Sequence, residues 1–79
     1  MSQFKVITAL KAQAKADKAK ALMSLELLTT NAVGIGDHTA NDFLKDATES
    51  LELLVDADDK LSALALYFPE HNPTKVLNG

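Results

Sequence analysis

The stretch that decides the fold is residues 39–68, TANDFLKDATESLELLVDADDKLSALALYF, which holds no Gly or Pro and is ended by Pro69. Reading every third and fourth residue gives Leu44, Ala47, Leu51, Leu54, Asp58, Leu61, Ala65 and Phe68. This is a heptad seam with one polar position, and such spacing gathers side chains on one side of an α-helix. Asp42, Asp46, Glu49, Glu52, Asp56 and Asp59 fall on the other side. The pattern predicts a long amphipathic helix over about 39–68 with an acidic back.

Upstream, residues 3–29 also lack Gly and Pro and are dense in Ala, Leu, Lys and Gln, all good helix formers. A second helix is expected there. Its seam reads Ile7, Leu10, Ala14, Ala21, Leu25 and Leu28, with Phe4 at the edge and a weak middle where Asp17 and Lys18 stand. About half a turn away runs a line of Ala9, Ala12, Ala16, Ala19 and Met23. It reads either as a solvent face filled with Ala or as a small-residue seam along which another helix can approach closely.

The two helical segments are joined by Asn31-Ala-Val-Gly-Ile-Gly-Asp-His38. Gly34 can close the first helix in a left-handed conformation, and Thr39 with Asp42 resembles a capping box opening the second. So short a connection implies antiparallel helices with arms of about 40 Å. Folding about Gly34 and Ile35 would set Leu28 near Phe43 or Leu44, Leu10 near Leu61, Ile7 near Leu64 and Phe4 near Phe68, with Ala14 opposite Asp58. Residues 1–68 then form one domain, and 69–79, with Pro69 and Pro73, an irregular tail that could dock through Val76 and Leu77.

Length and charge narrow the function classes. A 79-residue chain with no Cys has a small core and no disulfide or thiolate staple, so the remaining way to bury more surface is a second subunit. A net charge of −3 argues against nucleic acid as a partner, since that needs a basic footprint. No apolar run reaches the length of a membrane span, and residues 1–10 lack a signal-peptide core. A cytoplasmic protein, neither nucleic-acid-bound nor membrane-bound, is expected.

Charge placement supports the hairpin. Lys5, Lys11, Lys15, Lys18 and Lys20 crowd the first helix, while the second has seven acids against Lys45 and Lys60. Both clusters oppose their own helix dipole and can compensate each other side by side. Asp58, on the seam, is expected to reach Lys11, Lys15 or Lys18 at the edge; the other reading makes it a buried polar contact fixing register.

Few residues suggest chemistry. Glu49-x-x-Glu52 and Asp56-x-x-Asp59 resemble the ExxE and ExxD ligands of all-α nucleoside triphosphate pyrophosphatases, but there the motifs occupy separate helices and point into the bundle. Here they share one helix and face away from the seam, so Glu49, Glu52, Asp56 and Asp59 read first as a solvated acidic face. Asp37, His38 and Asp42 read as capping and loop-closing groups before they read as a metal site. Gly34-x-Gly36 lacks the strand and third Gly of a phosphate loop. No Ser has a His at a catalytic spacing.

The loop Val33-Gly-Ile-Gly-Asp-His-Thr39 and the segment Leu54-Val-Asp-Ala-Asp-Asp-Lys-Leu61, on a Lys/Ala-rich first helix, resemble small uncharacterised helical proteins of large tailed bacteriophages, of the cyanophage and myovirus type. The likeness covers about residues 4–68. It implies a phage origin and the host cytoplasm, and carries over no catalytic residue.

The expectation is an all-α, antiparallel two-helix hairpin that dimerises into a four-helix bundle. It acts without catalysis or cofactor, as a phage accessory protein binding itself and a host or phage protein. Ala9, Ala12, Ala16, Ala19, Met23, Leu53, Leu64 and Leu66 are the candidate contact residues, and a metal-dependent nucleotide pyrophosphohydrolase is the alternative.

Overall fold

The computed structural model describes residues 3–30 and 40–69. It consists of two helices packed on each other, α1 at Gln3–Thr30 and α2 at Ala40–Tyr67. These bounds lie within one residue of those the sequence predicts. The connection 31–39, with Gly34, Gly36, Asp37, His38 and Thr39, and the tail 70–79, with His71, Val76 and Leu77, fall outside the described residues.

α1 passes through Asp17 and Lys18 without a break, because the polar pair has uses that do not disturb the backbone. Gln13 Nε2 donates to Asp17 Oδ1 at 3.1 Å, one turn on, and Lys18 reaches across to α2. Near the end of α1 the Thr29 hydroxyl bonds back to the carbonyls of Leu25 at 2.9 Å and Glu26 at 3.0 Å, the local partner a hydroxyl finds inside a helix. The last backbone bond of α2 is Phe68 N–H to the Leu64 carbonyl at 2.9 Å. Pro69 has no N–H to continue it.

The helices run antiparallel. Lys18 Nζ lies 3.0 Å from Asp58 Oδ1, Leu10 and Ala14 border one depression with Ala63 and Leu64, and Leu27 and Leu28 border another with Asp46 and Glu49. Asp58 therefore meets Lys18, one of the three lysines expected to reach it, at a level one helical turn along α1 from Ala14, which the fold was expected to set opposite. Carried along both helices, this level brings Ala14, Ala21 and Leu28 within about one residue of Leu61, Leu54 and Ala47, so at these three levels a large side chain meets a small one. Such interdigitation fills space better than Leu against Leu.

The seam itself is rotated from the expected one. On α2 the residues turned inward are Phe43, Ala47, Ser50, Leu54, Ala57, Leu61, Leu64 and Phe68. Half of these belong to the predicted line; Leu44, Leu51, Asp58 and Ala65 do not, and lie exposed one row over. On α1 the inward residues include Ile7, Lys11, Ala14, Lys18, Ala21, Leu25 and Leu28, while Leu10 stays half exposed at the rim. The physical reason is close approach. Among the described residues the buried side chains are Ile7, Ala14, Ala21 and Ala57, and three alanines let two helix axes draw together where Leu51 or Asp58 would hold them apart.

Candidate interaction surface

A two-helix layer has two open faces, and the heptad rows assign residues to each. One face carries the Lys18–Asp58 pair. Around it stand Leu22 and the half-buried Leu25 of α1, and Leu44, Leu51 and Val55 of α2. The other face carries both depressions. Near the chain's open end its groove is floored by Leu10, Ala14, Ala63 and Leu64 and edged by Gln13, Asp17 and Lys60, and near the connection Leu27 and Leu28 line it together with Ser24, Asp46, Glu49 and Ser50.

Each predicted contact residue can be placed in this frame. Ala9, Ala12, Ala16, Ala19 and Met23 are exposed on the side of α1 turned from α2. Leu66 is exposed on the corresponding side of α2, as is the neighbouring Tyr67, each at 70%. Leu64, expected both near Ile7 and as a contact residue, belongs to the hairpin seam. Leu53 is half buried at the seam's flank. Leu22, Leu44 and Leu51 join them as surface residues, although the heptad spacing places the last two in the core. The signal that could have separated them is the run of small residues Ser50 and Ala57 at the same heptad position as Phe43 and Leu64.

The acidic residues stay dispersed. Glu49, Glu52, Asp56 and Asp59 are all exposed, and among the described residues no three carboxylate or imidazole groups come together as a metal-holding set. Asp56 is engaged by Lys60 at 2.9 Å, acid before base at a spacing of four, the favourable order on a helix. That hydrogen bond, then the Asp56 charge, with Asp17 of α1 adding to it, raises the Lys60 ammonium above its ordinary 10.5.

The sign follows directly. A raised pKa means the folded chain holds this proton more tightly, so the small contribution is complete below the unfolded value near 10.4 and fades as pH rises through the folded one. An NMR titration of Lys60 Nζ should therefore show a midpoint above the ordinary lysine value, and Asp56→Asn should lower it.

No family model, curated protein or solved structure matches this chain. The functional reading therefore rests on the surface itself. Among the described residues, no helix is long and apolar enough to cross a membrane.

Proposed function

We propose that the chain works by binding rather than catalysis, as a homodimer of helical hairpins whose four helices form one bundle. In this reading it is a phage accessory protein of the host cytoplasm that contacts a host or phage protein. The phage part of the reading rests on the resemblance of segments 33–39 and 54–61 alone.

The observation that carries it is the imbalance between core and surface. The buried set is Ile7 and three alanines, whereas Phe4, Val6, Leu10, Leu22, Met23, Leu27, Leu44, Leu51, Val55, Leu66 and Tyr67 are all at least two-fifths exposed. At about 100 Å² each, roughly half of such a side chain, they present on the order of 1,000 Å² of apolar surface. It is spread over several sides of the hairpin and exceeds the roughly 800 Å² one partner contributes to a stable interface, so an interface can cover part of it. A hairpin with so thin a core gains most of its remaining stability by covering this surface.

Light scattering at micromolar concentration should return about twice the 8.5 kDa of one chain. Calorimetric titration with Mg²⁺ or Mn²⁺ and a pyrophosphate-release screen should be blank. A pyrophosphate-release signal abolished by Glu52→Gln would replace this reading with the hydrolase one.

A further inference from the structure

Resting on that dimer reading, we propose that the second copy docks on the face bearing the Lys18–Asp58 pair, with both hairpins pointing the same way and α1 lying over the partner's α2. The starting point is the width of the apolar stripe on α2. It comprises three heptad rows: Phe43, Ser50, Ala57 and Leu64; Ala47, Leu54, Leu61 and Phe68; and Leu44, Leu51, Asp58 and Ala65. α1 covers the first two rows. The third is left outward with Leu44 at 61% and Leu51 at 51% exposure, and α1 adds Leu22 and Leu25 beside it.

Area and charge both favour a second copy as occupant. Two 28-residue helices side by side make a face about 42 Å long and 20 Å wide, so full overlap buries on the order of 800 Å² per copy, the size of a standard stable interface. A two-fold axis parallel to the helices achieves that overlap with like meeting like. Counting away from the Lys18–Asp58 level, Leu22 and Leu25 come opposite the partner's Val55 and the partner's Leu51. Lys18 comes opposite the partner's Asp58, so the two ion pairs close into a ring of alternating charge.

Turning the axis perpendicular to the helices reverses these matches. Full overlap would then stack Lys15 and Lys18 on their own copies and lay Leu22 and Leu25 against Thr8 and Lys11. Sliding the copies until the leucines meet would forfeit about half the area. Like charges in register cost specificity and affinity, so the parallel arrangement stands. The line from Ala9 to Met23 is a poorer site, because it lies on α1 alone and its use would leave Leu44 and Leu51 in water.

The chain has no Cys among its 79 residues, so single cysteines report cleanly. Leu44→Cys and Ala65→Cys, near opposite ends of the third row, should each join to its own copy through a short bis-maleimide in high yield. In an antiparallel dimer centred on the row each would lie about 30 Å from its copy. Cross-linking at neither or at only one site overturns the orientation.

Leu51→Asp, at an exposed position, should halve the light-scattering mass while the far-ultraviolet helix signal persists, and Ala16→Trp should leave the dimer intact. A dimer that survives Leu51→Asp, with or without loss in Ala16→Trp, overturns the docking face but not the dimer. Wild-type protein with the mass of a single chain at micromolar concentration overturns both.

Discussion

Ala21→Phe should unfold the hairpin well below the temperature at which the natural chain melts. Ala21 is fully buried between the helices, and a ring in its place has no room without driving the axes apart along their whole length. Overpacking of this kind costs about 1–3 kcal/mol, and at a side chain with no exposed surface the upper end applies. Against a total of about 4–12 kcal/mol for a domain of this size, and at about 4–8 °C per kcal/mol, the midpoint should fall by about 10–20 °C in a circular-dichroism melt. Ala12→Phe, on the exposed side of the same helix, should shift it by only a few degrees. Equal losses from the two substitutions would mean that the helices meet along some other line.

The second large effect is a melting temperature that depends on protein concentration. If two hairpins cover each other's leucines, unfolding and dissociation are one event, and dilution favours the separated chains. A hundredfold dilution removes about 2.7 kcal/mol per dimer, which for two chains of 79 residues amounts to roughly 5–10 °C. Melts of the wild type should move by that amount between the two concentrations. Leu51→Asp should melt lower and at the same temperature in both. A wild-type midpoint unmoved by dilution would show a hairpin stable on its own.

The helices themselves were legible because their limits are set by local chemistry. Neither arm contains Gly or Pro, the connection holds Gly34 and Gly36, and Pro69 closes the second arm. The antiparallel sense was legible too, since short connections allow little else, and the matching of Lys on α1 with acids on α2 is expressed at Lys18 and Asp58.

What was not legible is which side of α2 faces α1. A reading by side-chain size prefers Leu44 and Leu51, yet contact between two helices is decided by how near their backbones can come, and Ser50 and Ala57 permit more than leucines do. The same preference hid the surface leucines, for a residue assigned to the interior is no longer sought outside. The pairing level missed by one turn for a related reason: it is fixed by large side chains finding small ones, as Leu61 beside Ala14, and not by folding the chain about its glycines.

The pairing of Leu28 with Ala47 and of Ile7 with residues near Phe68 has a bearing on how the protein comes into being. Ends separated by fewer residues meet at less entropic cost, so closure begins beside the connection and travels outward like a zip. The outermost teeth can engage only once residue 68 has left the ribosome. Until then the newly made first arm, rich in alanine and lysine, waits for its other half.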